Sequence, residues 1–98
     1  MWYTANIFFE GKHDVVPVVP SLWEESIVLI EAEDEVEAQA LAEHIGRSRE
    51  HAYEVDVPSR HILGWTLAVV ERVCGIDGEQ PRHGTELFTR FLRAPEAC

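Results

Sequence analysis

Apolar and polar positions alternate with period two over most of this chain and with a helical period once. "WYTANIFFE" (residues 2–10) puts Tyr3, Ala5, Ile7 and Phe9 on one side and Trp2, Thr4, Asn6, Phe8 and Glu10 on the other, the pattern of a strand. "LWEESIVLIEAE" (22–33) is a second strand, and "SREHAYEVDV" (48–57) alternates most regularly of all. "ILGWTLAVVERVC" (62–74) and "TELFTRFLR" (85–93) complete five predicted strands. The helical period falls on 34–45, where Ala38, Leu41, Ala42 and Ile45 form one stripe at i, i+3, i+4 and i+7. Asp34 is placed to cap that helix, Glu37 to complete a box-like pattern, and Gly46 to end it in a left-handed conformation. Val36 falls on the opposite side with Ala40.

The connections have their own signals. Pro17 and Pro20 make "GKHDVVPVVPS" (11–21) a long connection, with Val15, Val16, Val18 and Val19 expected to pack on something. "PSRH" (58–61) is a turn, 75–84 a looser one, and 94–98 a frayed tail. Gly64 inside its strand is expected to mark a bulge beside Trp65. The expectation is one α+β domain over 1–98: an antiparallel-rich five-stranded sheet with one helix, in the order β-β-α-β-β-β.

One helix does not cover such a sheet. Ile27, Val28, Leu29 and Ile30 are apolar on both faces, and so are Leu67 to Val70 and the segment with Leu87, Phe88, Phe91 and Leu92. A helix of about 12 residues, about 18 Å long, covers one face. The second face needs the 11–21 connection, a curl of the sheet into a barrel, or another copy of the chain. The sequence favours a homodimer.

Composition sharpens this. The 98 residues, 46% apolar and 27% charged, suit one globular domain. The formal charge is −10, and between His13 and Gly46 there are nine acids and no Lys or Arg. Such a surface repels nucleic acid and anionic membrane and attracts a basic protein. No apolar run reaches the roughly 20 residues of a membrane span, and no secretory leader pattern opens the chain, so a cytoplasmic location is expected. Cys74 and Cys98 lack zinc-site spacing and are expected as free thiols, with Cys74 a small core residue. Arg outnumbers Lys, and Ala and Val are frequent, a habit of GC-rich bacterial genomes.

Candidate chemistry is sparse. Strand parity puts Glu24 and Glu25 on opposite faces, so they make no carboxylate pair. The acids of "EAEDE" suit the helix entry. No pair among His13, His44, His51, His61 and His83 has metal-ligand spacing, and no nucleophile elbow or phosphate loop is present. No catalytic residue, metal or cofactor is expected. Arg49, His51 and Tyr53 share a strand face and can together hold an anion or a carboxylate.

"MWYTANIFFE", "LWEESIVLIEAE" running into an acidic Ala-rich helix, "REHAYE" and "GTELFTRFL" together resemble an uncharacterised bacterial family, domain of unknown function 4288. The resemblance spans nearly the whole chain, with "VVPVVP" and "DVPSRH" particular to this sequence. It implies a small bacterial domain and brings no activity or catalytic residue. The functional expectation is a non-enzymatic interaction domain, homodimeric, using Trp23, Glu24, Glu25, Arg49, His51 and Arg90. The alternative is a small-molecule or metal-binding domain, an enzyme included, built around Arg49, His51 and nearby carboxylates.

Overall fold

The first strand organises the molecule because both of its edges are paired. The structure is a computed structural model that describes residues 1–15, 20–56, 59–76 and 80–87. It contains β1 (Trp2–Asp14), β2 (Leu22–Glu31), α1 (Glu35–Ser48), β3 (His51–Val55) and β4 (His61–Gly75). The sheet runs β2-β1-β4-β3, every pairing is antiparallel, and the whole is curled into a half-barrel. Two further backbone bonds extend the ladders at the N-terminal end of β1: Ala32 N–H donates to Met1 O at 2.9 Å and Ile76 N–H to Trp2 O at 2.8 Å.

The α+β class stands, but the expected five strands are four among the described residues. Thr85–Leu87, the start of the expected fifth strand, lie in no strand. Local bonds hold Thr85 instead: its amide donates to Arg82 O at 2.9 Å, and its Oγ1 accepts from Arg82 N–H at 2.9 Å. Residues 88–98 lie outside the described residues, as do the valines at 16, 18 and 19 of the long connection. That connection is also shorter than expected, since β1 runs on to Asp14.

Alternation in β1 works as the pattern predicts. Tyr3, Ala5, Ile7 and Phe9 are buried and form the core with Ile30, Ala32, Ala38 and Ala42. Val28, Leu41, Ile45, Trp65, Leu67, Val70 and Val73 pack around them. β4 breaks the alternation twice. Asn6 faces Arg72 while Ile7 faces Val70, and Phe8 faces Val69 while Phe9 faces Leu67, so Glu71 and Ala68 are the extra residues of two bulges. Each bulge adds one residue and restores the phase, which puts Val73, Val70 and Leu67 all on the helix side. Bulges also increase local twist, which curls the sheet. Gly64, the expected bulge, sits instead in regular register between Lys12 and Ala52.

The helix begins where the sequence marks it. Asp34 is extended, and its Oδ1 accepts the Glu37 N–H at 2.8 Å. Glu37 Oε1 in turn accepts from Glu33 N–H at 3.4 Å, one residue outside a true capping box. Its end differs from expectation. Gly46 has no left-handed conformation, and the helix runs on to Ser48 with Arg49 as its C-cap. Gly46 is there for clearance: a Cβ at this position would stand 2.8 Å from Leu67 Cδ1 and 3.4 Å from Ile7 Cγ2. Ala38, Ala42 and Gly46 are the buried residues of the helix, spaced four apart, and they let it lie close to the sheet.

The close approach makes a prediction. Gly46→Val should lower stability by about 2 kcal/mol, or roughly 10 °C in Tm, because the branched side chain must push the helix off Leu67. Thermal and urea denaturation of the variant checks this, and unchanged stability would show that the helix can shift freely.

Candidate functional site

Three places on the molecule hold side chains that packing alone does not use. The first is the sheet face turned away from the helix. It carries Trp2, Thr4, Asn6, Phe8, Glu10 and Lys12 from β1, and Trp23, Glu25, Ile27, Leu29 and Glu31 from β2. From β4 come Ile62, Thr66, Val69, Arg72 and Cys74. Curling does not bury this face. Trp23 is 59% exposed, Ile27 49%, Val69 48%, Leu29 44% and Ile62 41%. At its centre Thr4 and Asn6 are sunk between these larger neighbours, and Asn6 Nδ2 donates to Glu25 Oε2 at 3.3 Å. Thr4 Oγ1 and Asn6 Oδ1 have no hydrogen-bond partner among the described residues. Cys74, expected in the core, lies on this face half-buried, its Sγ accepting from Arg72 Nε–H at 3.0 Å.

The second place is the helix-bearing face beyond the C-terminal end of α1. Trp65 lies across the strand pair onto Gly11, where a Cβ would meet three ring carbons at 2.8–2.9 Å. A glycine in β1 is what allows the indole to lie flat there. Trp65 Nε1–H donates to Tyr53 OH at 3.2 Å, and Tyr53 stacks on His51 with centroids 5.7 Å apart and planes 18° apart. His51 Nδ1 donates to Arg49 O at 2.8 Å, which leaves Nε2 as its accepting nitrogen. Arg49 reaches across to Ser26 Oγ at 3.4 Å. Glu50 is engaged too: its Oε2 accepts the Leu67 N–H at 2.9 Å, continuing the β4 edge where β3 stops.

The third place was not visible in the sequence. His13 at the end of β1 and His61 at the start of β4 meet through Nδ1 and Nε2 at 2.8 Å, although 48 residues separate them. Both lie on the helix-bearing face, in phase with buried Leu63. Linear spacing reveals a ligand pair only within one element, so an inter-strand pair escapes it.

The six expected binding residues are scattered among these places. Trp23 and Glu25 lie on the open face and Glu24 on the other, as parity required. Arg49 is at the helix C-cap rather than in the strand, but its backbone holds His51, so those two do come together. Arg90 lies outside the described residues. The acids at the helix entry rim a shallow recess with Met1, Glu31, Ala32, Glu33 and Glu37, where Asp34 and Glu37 serve the cap. Among the described residues no three His, Cys, Asp or Glu side chains converge to hold a metal, and no helix is long and apolar enough to cross a membrane.

The fold and these places define an antiparallel α+β domain with one face of its sheet capped by a single helix and, among the described residues, no element laid over the other. No protein-family model matches the chain, and no curated protein or solved structure matches it either.

The aromatic group gives a stability prediction. Trp65→Ala should cost about 2–3 kcal/mol, since it uncovers Gly11 and removes packing on the core. Tyr53→Phe, which loses only an exposed acceptor, should cost less than about 1 kcal/mol. Urea denaturation of both variants checks the order, and equal losses would show that the hydrogen bond and not the indole's packing holds this end together.

Proposed function

We propose that this chain is a non-enzymatic interaction domain that pairs with a second copy through the open face of its sheet. The observation that carries the reading is the set of five large apolar side chains, 41–59% exposed, gathered on that one face. Apolar patches of this kind, rimmed by charge, mark protein contact surfaces. The charge distribution favours a copy of the same chain. The β2 side of the face carries Glu25 and Glu31, whereas Arg72 lies on β4 and, on β1, Lys12 is matched by Glu10 at 3.6 Å. A two-fold axis running along the strands would set the acidic β2 side of one protomer over the β4 side of the other, which carries Arg72. The uncharged centre of Thr4, Asn6, Phe8, Ile27, Leu29 and Val69 would then be closed from water. The acidic stretch from Asp14 to Glu43 stays outside this contact in large part and offers a surface for a basic protein. Kinship with domain-of-unknown-function family 4288 is part of the same proposal and assigns no competing activity.

Light scattering at tens of micromolar tests the pairing. The expected mass is about 22 kDa, twice the 11.2 kDa of one chain. Ile27→Glu should return the monomer mass with the circular dichroism of the wild type, because Ile27 is already half exposed within one chain. A wild-type monomer under these conditions contradicts the proposal.

A second reading rests on the gathering of Arg49, His51, Tyr53 and Trp65, which presents a guanidinium and an imidazole acceptor beside an aromatic surface. Such a group would take a small carboxylate or another planar anion. A thermal-shift panel of carboxylates and phosphates should then raise Tm in the wild type and not in Arg49→Ala or His51→Ala. No rise across the panel removes this reading.

A further inference from the structure

The two edges of the sheet are built differently. One is short and interrupted. It starts with β3, 5 residues long, and passes to β4, whose Leu67 N–H is taken by the Glu50 carboxylate at 2.9 Å. The bulges at Ala68 and Glu71 follow and break the even spacing of amides and carbonyls. Short strands and bulges are the usual devices that stop an edge from accepting another strand. The other edge is the outer side of β2, and it has neither device. Its 10 residues, Leu22–Glu31, pair with β1 without a register shift. Every second one turns its amide and carbonyl away from β1. Among the described residues no strand takes those groups, and β2 contains no proline, lysine or glycine. What it has instead is charge of one sign. Its side chains run acid, apolar, acid: Glu24 and Glu25, then Ile27 to Ile30, then Glu31, with Glu33 just beyond. All four glutamates are exposed. Alternation sends Glu24 to the helix side and Glu25 and Glu31 to the open face, so acids flank this edge on both faces.

We propose that the outer edge of β2 is a docking site for an extended basic segment of another protein, which adds to the sheet by strand pairing. The backbone of β2 supplies the ladder, and its side chains choose the partner. Residues opposite Ile27 to Ile30 would be β-branched or aromatic, and Lys or Arg would flank them opposite the acids. A second copy of this chain does not suit the edge. Pairing β2 with itself sets an acidic strand against an acidic strand, and like charges directly opposite destabilise a strand pair. The acids thus protect the edge against self-association while leaving it open to a strand of opposite sign. This docking rests on the interaction-domain reading, whose basic partner it specifies, and not on the homodimer. The edge lies beside the open face, so both can be occupied at once.

Fluorescence anisotropy of the intact chain with a labelled peptide, Arg-Lys-Thr-Val-Ile-Val-Thr-Lys-Arg, tests the docking. Two control peptides separate its parts. One replaces every Arg and Lys by Glu. The other keeps all side chains but is N-methylated at each amide of its five central residues, which removes the donors from both of its edges. The basic peptide should bind, and the backbone amide resonances of Leu22–Glu31 should shift more than those of β4. Both controls should bind at least about tenfold more weakly. Exchanging Glu24 and Glu31, both exposed, in a Glu24→Lys, Glu31→Lys double variant should weaken the basic peptide to a similar degree. Equal binding by the N-methylated peptide means charge attraction without a ladder, and overturns the docking. So does equal binding by the acidic peptide, or no binding of the basic peptide at millimolar concentration. The mass measurement decides the sheet-to-sheet contact separately. A monomer that binds the basic peptide ends the pairing and keeps the edge, whereas a dimer that does not bind it ends the edge alone.

Discussion

The approach of α1 to the sheet is the constraint on which the rest depends. Ala38, Ala42 and Gly46 remove side-chain bulk from one line of the helix, and Ile7 and Leu67 fill that space from below. For this to work, β4 must keep Leu67, Val70 and Val73 on the same face, which a regular strand cannot do because side chains alternate. The two bulges at Ala68 and Glu71 resolve the conflict. They also add twist, and so the curl of the sheet follows from helix packing. A sheet curled around one helix is well covered inside, and among the described residues no element covers the outside. The open face is thus a consequence of the core's design.

Much of the fold was legible in the sequence where side-chain period and element coincide. The faces of β1 and β2 follow from simple alternation, including the separation of Glu24 from Glu25. The helix start follows from Asp34 and Glu37. Legibility failed where one residue type serves two purposes. Gly46 reads as a helix terminator but provides clearance, and Gly64 reads as a bulge but sits in register. Leu67 to Val70 read as apolar on both faces, yet the bulge at Ala68 puts Leu67 and Val70 together on the helix side and Val69 outside. "TELF" reads as a strand by alternation, but Thr85 and Arg82 satisfy each other locally.

The candidate sites were less legible for a related reason. Arg49, His51 and Tyr53 could be grouped in advance because they lie close along the chain, although Arg49 acts from the helix cap. The roles of Trp65, Gly11 and Ser26 depend on which strands are neighbours, and strand order is not written in any local pattern. The same holds for His13 and His61, which only the β1–β4 register brings together.

The centre of the open face adds a further step. Thr4 and Asn6 occupy the middle of β1 and are sunk between the larger side chains of this face. Each has a side-chain oxygen without a partner among the described residues, a deficit of the order of 1–3 kcal/mol apiece when fully dry. Buried polar groups of this kind favour the one arrangement of neighbours that satisfies them, which is a contribution to specificity more than to stability. Asn6 already fixes Glu25 through its Nδ2, which ties the polar centre to the acidic side of the face. In the proposed contact the exposed apolar residues would supply the tendency to associate, and Glu25, held by Asn6, would restrict the orientation.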